Sequence, residues 1–352
     1  MRALLMVDKG RLEMNDVATP ELQEGWALLR TVASAAGLFH TQMVKGMLDT
    51  AGFPRILGHE IVGRVVEAAS PASPAPGTLV VADAVVGCGV CDWCIRGEDS
   101  VCPWMRHLGI DLDGGFAEYS LVPEANIFSL PSDIRLEGAV MLSSALPAAV
   151  HAVRRSGVAA GDRVVVSGVG SIGFTVCQVA KAFGATTLIA ADVRDDQLDA
   201  VRPWVDATVN VGGMDSSEAA RAMCDAVDAE LGLDIAFETA GHSSSLEAAV
   251  KVLRPGGTAM LMGICDGPTS LAFNDYLAEF VRREVTLVTT FGFTRKDFLI
   301  GNALHSSGRL DLQPLVGPTI GLEDIPGVLA DIEEHGTGGK RYVVDVGLAA
   351  DG

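Results

Sequence analysis

Four cysteines in the first third of the chain are spaced as metal ligands. They form a C-x2-C-x2-C-x7-C pattern made of Cys88, Cys91, Cys94 and Cys102. Four thiolates can enclose a tetrahedral Zn²⁺ completely, and such a closed site is structural and not catalytic. Gly87, Gly89 and Gly97 allow the backbone to turn tightly around an ion. The spacing therefore predicts one structural Zn²⁺ per chain, with four reduced surface thiols as the alternative interpretation.

A second pattern, GxGxxG, lies between a predicted strand at Arg163–Ser167 and a predicted helix at Phe174–Phe183. In this context the first glycine permits a tight turn, and the second lets backbone amides approach a pyrophosphate. The third lets the helix and the strand pack closely. We interpret the pattern as a dinucleotide site, and a turn that serves packing alone is the alternative. The candidate cofactor-binding residues are Gly168, Gly170, Ser171, Ile172 and Gly173.

The coenzyme preference depends on Asp192, which ends the next predicted strand 19 residues beyond the last glycine of the motif. A carboxylate at this position accepts hydrogen bonds from the ribose hydroxyls. It would also repel a 2′-phosphate, by at most about 4 kcal/mol for charges roughly 4 Å apart at an effective dielectric constant of about 20. NAD(H) is therefore favoured over NADP(H). Arg194 is a further candidate cofactor-binding residue. A shift of the coenzyme preference by this arginine is an open alternative.

The segments around the glycine motif alternate between apolar strands and helices from about residue 152 onward. The predicted strands include Asp234–Glu238 and Thr258–Met262, and helices are predicted near 196–203 and 244–253. Such alternation predicts a doubly wound parallel sheet with helices on both faces. A last strand is expected at Val285–Thr290.

The first 150 residues contain short apolar runs separated by Gly and Pro, such as Ala27–Val32 and Ile61–Val66. This texture predicts a β-rich, partly closed sheet, with a surface loop at Ala69–Gly77. The tail, with a helix near 294–307 and a strand at Tyr342–Val346, is expected to return to this region. The fold class is therefore α/β, with a β-rich domain beside a doubly wound domain.

The composition excludes several classes of partner. The net charge of −19 would repel nucleic acid and anionic membranes. No apolar run reaches the roughly 18 residues that a membrane span requires, and the N-terminus becomes charged too early for a signal peptide. We therefore expect a cytoplasmic protein with a small-molecule substrate and no nucleic-acid or membrane partner.

The chain resembles the medium-chain dehydrogenase/reductase superfamily, in its zinc-containing alcohol dehydrogenase branch, over nearly its whole length. Besides the cysteine pattern and the glycine motif, the residues that carry this resemblance are Gly58-His59-Glu60, Asp113–Tyr119, Leu253–Gly257 and Gly339-Lys340. The resemblance implies a GroES-like catalytic domain over 1–151 and 292–352, with a zinc lobe at 87–103. It implies a Rossmann NAD-binding domain over 152–291.

The resemblance also implies a homodimer or homotetramer, and it implies that His40 and Lys340 contact the cofactor. By itself, Lys340 would be an ordinary solvated lysine. Most members of the branch hold a second, catalytic zinc. In this chain Phe39 occupies the position of the usual thiolate ligand and Ser144 that of the third ligand, so only His59 remains.

One imidazole cannot hold a catalytic zinc, which requires three protein ligands. Without that metal, hydride transfer needs an acceptor that is already electrophilic. The expected activity is therefore NAD(P)H-dependent reduction of a polarised C=C or C=N bond. Thr41, His59 and Ser144 are the candidate catalytic residues, with Ser143 as a further donor.

Each of these side chains also has a structural interpretation, as a polar group bonded to nearby backbone or packed without a role. A zinc-dependent alcohol or polyol dehydrogenase with a non-standard ligand set is one alternative function. A non-catalytic NAD-binding or redox-sensing protein is another.

Overall fold

The computed structural model describes residues 1–46, 52–131, 134–265 and 269–346. The chain divides into two compact units. The first unit contains residues 1–144, 294–296 and 312–352, and the second contains residues 145–293 and 297–311.

The strands, in chain order, are β1 (Arg2–Asp8), β2 (Arg11–Asp16), β3 (Trp26–Ala36), β4 (Arg55–Ile56), β5 (Val62–Ala68), β6 (Leu79–Ala82), β7 (Val85–Val86), β8 (Arg106–His107), β9 (Tyr119–Pro123), β10 (Ile127–Ser129), β11 (Arg163–Ser167), β12 (Thr187–Asp192), β13 (Ala207–Asn210), β14 (Leu233–Glu238), β15 (Leu253–Leu261), β16 (Thr286–Thr289), β17 (Val316–Ile320) and β18 (Arg341–Asp345).

The α-helices are α1 (Leu38–Val44), α2 (Asp92–Ile95), α3 (Leu136–Ser143), α4 (Ala145–Ser156), α5 (Ser171–Phe183), α6 (Asp195–Val201), α7 (Ser216–Asp225), α8 (Ser243–Lys251), α9 (Tyr276–Glu279), α10 (Arg295–Ser306) and α11 (Ile325–His335). Short 3-10 helices occur at Asp99–Val101, Glu124–Asn126, Arg202–Trp204, Val281–Arg283, Gln313–Leu315 and Leu322–Asp324.

The first unit is built on a mostly antiparallel sheet in the order β10-β6-β5-β3-β18-β17, with β9 also paired to β3. A smaller sheet has the order β2-β1-β4, and β7 pairs with β8. Residues of β3 alternate between buried and half-buried positions because successive side chains of a strand point to opposite faces. Helix α11 packs on the core of this unit through Ile325, Leu329 and Ile332, which are spaced to share one helix face.

The second unit contains a parallel sheet in the order β13-β12-β11-β14-β15-β16. Numbered from β11, this order is 3-2-1-4-5-6, the strand order of the Rossmann fold. Its central strands are apolar runs because helices cover both faces of the sheet, and β11 is buried from Val164 to Ser167. The α/β fold class expected from the sequence is confirmed.

Two elements of the second unit carried too weak a signal to be predicted. Strand β13 lies at the edge of the sheet and has only half-buried or exposed residues. Helix α7 buries a short face made of Ala219, Ala220 and Met223, so it contains few large apolar residues to mark it in the sequence.

The structure divides the chain earlier than the boundary expected at residues 151 and 152. Helix α4 begins at Ala145 and belongs to the second unit. Its residue Leu146 lies against Gly301 of α10, where a Cβ atom would be 3.1 Å from Leu146 Cγ. Residues 145–151 therefore pack with the second unit, because they continue one helix whose apolar face lies there.

Within the described ranges, no single helix is long and apolar enough to cross a membrane. The consecutive helices α3 and α4 reach that length and composition only when they are taken together.

Candidate functional site

The glycine motif forms the turn between β11 and α5. Gly168 has a φ of +88°, and a Cβ atom there would lie 2.6 Å from the backbone nitrogen of Ala240. A Cβ atom on Gly173 would overlap the carbonyl oxygen of Gly168. In contrast, a Cβ atom on Gly170 would meet nothing within 4 Å. The first and third glycines are thus required by packing, while the second leaves the backbone open to an approaching group.

Helix α5 begins directly after Gly170, so Ser171 and Ile172 lie in its first turn. No described side chain caps this N-terminus. The first amides of a helix have no intrahelical acceptor and carry the positive end of the helix dipole. A pyrophosphate bound at this turn would therefore be held by backbone groups.

Asp192 is held at the end of β12 by two backbone amides. Its Oδ2 accepts a hydrogen bond from Val169 N at 2.7 Å, and its Oδ1 accepts one from Arg194 N at 3.0 Å. The residue lines an open pocket of about 220 Å³, together with Gly168, Met214 and His242. A carboxylate fixed beside the glycine turn in an open pocket is placed to bind a ribose.

The side chain of Arg194 is engaged elsewhere. Its Nε and Nη2 donate to the two carboxylate oxygens of Asp196 at 3.0 and 2.7 Å. This bidentate pair satisfies the planar fork of the guanidinium. Arg194 therefore contributes its backbone amide to the pocket around Asp192, and its charge is directed to Asp196.

The four cysteines of the zinc lobe come together in the first unit. The sulfur atom of Cys91 lies 3.6 Å from that of Cys94 and 3.8 Å from that of Cys102. The sulfur atoms of Cys88 and Cys94 are 4.0 Å apart. A tetrahedral ion with Zn–S bonds of about 2.3 Å requires sulfur atoms about 3.8 Å apart. The donor set fits a closed structural zinc, which these four thiolates would hold without an open position.

The backbone of the lobe supports this arrangement. A Cβ atom on Gly87 would lie 2.8 Å from the sulfur of Cys94, so a side chain there would displace a ligand. The hydrogen bond from the Val90 amide is the main cause that lowers the pKa of Cys88 to about 7. That shift favours the thiolate form that a metal binds, whereas burial raises the pKa of Cys94.

Two further imidazoles and an aromatic ring surround His59 in the first unit. Nδ1 of His59 lies 3.2 Å from Nε2 of His40, and the two rings are stacked with centroids 4.8 Å apart. Phe39 stands edge-on to His59 at 4.9 Å, with an interplanar angle of 71°. His107 lies on another side of His59, at 5.7 Å between ring centroids. All three histidines are buried.

These imidazoles are neutral at physiological pH. Burial, assisted by the charge of Arg341, lowers the pKa of His40 to about 3. Burial also lowers the pKa of His59 far below its usual value, and it lowers that of His107. Sequence reasoning missed His107, because a lone histidine five residues after a cysteine pattern carries no recognisable signal.

A buried ion pair lies beside these rings. Arg341 Nη1 donates to Glu60 at 2.9 Å, and Glu60 is fully buried. Burial raises the pKa of Glu60, against the opposing effect of the guanidinium. Lys340, the predicted cofactor contact, is exposed. Arg341 was missed because the family motif ends one residue earlier.

The predicted contact of His40 with a cofactor pyrophosphate stays a prediction. His40 has no exposed surface, and its Nε2 faces His59 instead of solvent. The physical reason is that α1 turns His40 into the core of the first unit, where it packs against Phe116 at 4.9 Å. Neither ring nitrogen of His40 is exposed in this structure.

The hydroxyl groups predicted as proton donors are bonded to nearby backbone. Thr41 donates to the carbonyl of Leu38 at 2.7 Å, and Ser143 donates to the carbonyl of Val140 at 2.6 Å. In each bond the donor lies three residues after the acceptor, in α1 for Thr41 and in α3 for Ser143. Ser144, which directly follows α3, is half-buried. His59 is therefore the predicted catalytic residue with the most distinctive surroundings.

The donor atoms around His59 do not form a group of three or more converging ligands among the described residues. In the part of the chain that the structure describes, the four cysteines are the one group of three or more candidate ligands whose donor atoms lie within 4.8 Å of one another. The ring of Phe39 packs edge-on against His59. The loss of the catalytic zinc stays a prediction of the sequence.

Two family models and several known proteins match this chain. Residues 23–132 match the family described as alcohol dehydrogenase GroES-like domain, and residues 171–303 match the family described as zinc-binding dehydrogenase. The chain is 31% identical over 300 residues to a protein of Emericella nidulans named "Probable D-xylulose reductase A", covering 84% of this chain and 82% of that protein.

Two solved structures are similar over almost the entire chain. An alcohol dehydrogenase from Thermus sp. ATN1 has a TM-score of 0.89 at 25% identity, covering 99% of this chain and 100% of its own. A protein from Sinorhizobium meliloti 1021, solved with NADP bound, has a TM-score of 0.88 at 26% identity and covers 98% of both chains. The chain belongs to the medium-chain dehydrogenase/reductase superfamily, as an NAD(P)-dependent oxidoreductase of the alcohol dehydrogenase type.

Proposed function

We propose that this protein is an NADH-dependent reductase that works without a catalytic zinc and reduces a polarised C=C or C=N bond of a small molecule. The observation that carries the proposal is the contact between Phe39 and His59, whose ring centroids are 4.9 Å apart. An aromatic ring in this place fills space that a metal ion and its thiolate ligand would need. The surviving imidazole then acts by hydrogen bonding.

The roles of the two units follow from their residues. The second unit would bind the dinucleotide, with the pyrophosphate at the N-terminus of α5 and a ribose on Asp192. When bound, the coenzyme supplies a hydride. The first unit would contribute His59, a neutral imidazole that holds a substrate atom by a hydrogen bond and does not carry a charge of its own.

A preference for NADH over NADPH is supported by two features. The carboxylate of Asp192 is fixed in the pocket by Val169 and would repel a 2′-phosphate. The guanidinium of Arg194, which could offset that repulsion, is paired with Asp196. The NADP-bound structure of the Sinorhizobium meliloti protein makes direct measurement of this preference informative.

The remaining parts of the proposal concern assembly and location. We propose one structural zinc in the cysteine lobe, a homodimer or homotetramer as the assembly, and the cytoplasm as the compartment. Gel filtration with light scattering would measure the assembly. A monomer at micromolar concentration would contradict that part alone.

The proposed function is tested by elemental analysis of purified full-length protein together with a substrate panel. We expect one zinc per chain and NADH oxidation with enones or imines. Two zinc ions per chain, together with oxidation of simple alcohols, would contradict the proposal.

A zinc-dependent polyol dehydrogenase is the second candidate, and the named D-xylulose reductase relative favours it. It would require a ligand set built from the clustered imidazoles His40, His59 and His107. Xylitol oxidation with NAD⁺ that is lost on chelation and restored by zinc would establish this candidate.

A further inference from the structure

The pocket beside Asp192 extends beyond the glycine turn to the loop that follows β13. Its lining also includes the first turns of α7 and α8, and all of it belongs to the second unit. A dinucleotide joins phosphate, ribose and base in that order. With the phosphate at the glycine turn and the ribose on Asp192, the base has to enter the part of the pocket that the loop and the two helices line.

The loop after β13 is held against the end of β12. Val211 N donates to the carbonyl oxygen of Asp192 at 3.0 Å. A Cβ atom on Gly212 would lie 3.6 Å from the carbonyl oxygen of Val193, and Gly212 N donates to the side chain of Asn210 at 2.8 Å. The side chains of the loop therefore reach the pocket from a backbone that hydrogen bonds hold in place.

Two large apolar side chains are exposed at this part of the pocket. Val193 has 64% of its surface exposed and Met214 has 38%, and both line the pocket. The small residues Ala240 and Ala248 line it as well. Covering exposed apolar surface with the flat face of a heteroaromatic base is favourable. The apolar surface thus fits a base but does not select one base over another.

The charged group in this part of the pocket is the carboxylate of Asp215, which begins α7 as its N-cap. Its Oδ1 accepts hydrogen bonds from Glu218 N at 2.9 Å and from Ser217 N at 2.8 Å. These two bonds hold the pKa of Asp215 below its ordinary value. Among the described residues, none donates a hydrogen bond to the other oxygen, Oδ2. Oδ2 is therefore an acceptor that a ligand can use.

The neighbouring serine hydroxyls are engaged with other side chains. Ser216 Oγ donates to Glu247 at 2.9 Å and accepts from Lys251 Nζ at 2.7 Å. Ser245 Oγ donates to Glu238 at 2.7 Å. Each hydroxyl has a single proton, and these bonds use it. The polar contact to a base is thus left to the carboxylate at the start of α7.

We propose that Asp215 determines which base the coenzyme carries, because its Oδ2 accepts a hydrogen bond from an exocyclic amino group. An ionised carboxylate only accepts hydrogen bonds, so it pairs with the amine of adenine and repels the carbonyl oxygen of hypoxanthine. This inference rests on the proposed function, in which the second unit binds a dinucleotide. It adds a residue for the base to Asp192, the residue for the ribose.

The reduced dinucleotide that carries hypoxanthine in place of adenine tests the selection of the base. Fluorescence titration of the full-length protein measures its Kd and that of NADH. We expect the hypoxanthine dinucleotide to bind about 10-fold more weakly, as for the loss of one hydrogen bond to a charged group. Equal Kd values would overturn the inference.

Mononucleotides isolate the base from the nicotinamide half of the coenzyme. AMP should displace bound NADH at a concentration about 10-fold lower than purine riboside 5′-monophosphate, which lacks the amino group and gains no donor. Equal competition by the two mononucleotides would contradict a hydrogen bond to the amine.

A matched pair of variants assigns the effect to Asp215. Asparagine is as good an N-cap as aspartate, so Asp215→Asn keeps α7. With its oxygen on the helix, the amide presents an N–H donor in place of Oδ2, and we expect the Kd ratio of the hypoxanthine and adenine dinucleotides to fall to about 1 or below. Asp225→Asn makes the same change of charge at the other end of α7, outside the pocket, and should leave the ratio unchanged.

Two further measurements exclude other causes. If the carboxylate acts by its charge alone, Asp215→Asn strengthens NADPH binding and leaves the hypoxanthine ratio as it was, and the inference is wrong. His242 also lines the pocket. His242→Ala should retain the ratio, whereas its loss in this variant would assign recognition of the base to the histidine and not to Asp215.

The outcomes separate this inference from the proposed function. Equal binding of the adenine and hypoxanthine dinucleotides overturns the inference alone, because zinc-independent reduction does not depend on the base. Two zinc ions per chain with oxidation of simple alcohols overturn the proposed function, and the selection of the base remains. A protein that binds none of the dinucleotides contradicts both.

Discussion

Phe39 meets the imidazole of His59 edge-on, with ring centroids 4.9 Å apart and planes inclined at 71°. The imidazole has its other neighbours in His40 and His107. His59 is thus enclosed by rings, and each of the two histidines that flank it is buried and neutral. In this environment an imidazole serves as a hydrogen-bond donor or acceptor, and its charge state is set by burial.

Restoring the family's ligands should restore a metal. We expect the double variant Phe39→Cys, Ser144→Glu to bind a second zinc, because it returns two protein ligands beside His59. Elemental analysis should rise from one toward two ions per chain. The control Phe39→Leu, Ser144→Ala should stay at one, and a wild-type value of two would contradict the argument.

Removing the charge of Asp192 should relax the coenzyme preference. Asp192→Asn keeps an oxygen that can accept from Val169 N but removes the repulsion of a 2′-phosphate. We expect the ratio of NADPH to NADH dissociation constants to fall by about 10-fold or more, equivalent to roughly 1.4 kcal/mol. Fluorescence titration measures both constants.

Arg194→Ala serves as the control for that experiment. Because the guanidinium is bound to Asp196, this substitution should change the coenzyme ratio less than about 2-fold, a difference within roughly 0.5 kcal/mol. A large loss of NADPH binding in Arg194→Ala would show that the arginine turns to the coenzyme.

Breaking the cysteine site should release zinc and destabilise the fold. Cys94→Ser removes one of four converging ligands, and we expect loss of the ion and of about 4 kcal/mol in the free energy of unfolding. Urea denaturation and elemental analysis measure the two effects. Cys265→Ser, which lies outside the lobe, should keep the zinc and most of the stability. An unchanged zinc content in Cys94→Ser would contradict the assignment.

The buried histidines should make stability depend on pH. The pKa of His40 is lowered from the ordinary value near 6.5 to about 3, so the unfolded chain binds more protons between these values. This contribution to stability is complete above about pH 6.5 and is lost as the pH falls toward the folded pKa. We expect the urea midpoint to decrease from pH 7.5 to pH 5.

A His40→Asn, His59→Gln double variant should show a weaker decrease over the same range, since the groups that titrate have been removed. Arg341 and His107, which adjoin these rings, remain in the variant. An equal pH dependence in both proteins would assign the effect to other groups.

The pair Glu60–Arg341 should behave as a coupled unit. Arg341→Met leaves a buried carboxyl without its partner, and we expect a cost of about 3 kcal/mol in the free energy of unfolding. Glu60→Gln, Arg341→Met together should cost less than the sum of the single substitutions. Additive effects in a double-mutant cycle would show that the two side chains do not interact energetically.

The sequence alone was sufficient for features made by residues close together in the chain. The cysteine pattern became four sulfur atoms within 4.8 Å of one another, and the glycine motif became the turn between β11 and α5. Short-range spacing determines such geometry because a few backbone turns connect all the participating groups. Strand β11 was predicted with its observed bounds, since a buried parallel strand is a continuous apolar run.

Only the tertiary structure decided the surroundings of His59. Its neighbours His40, His107 and Arg341 come from α1, β8 and β18, and no local pattern links these segments. The choice between Lys340 and Arg341 shows the physical reason clearly. Successive side chains of an extended chain point to opposite sides. A step of one position along the chain therefore separates the exposed Lys340 from the buried Arg341. Which side faces the core is determined by the packing of distant segments.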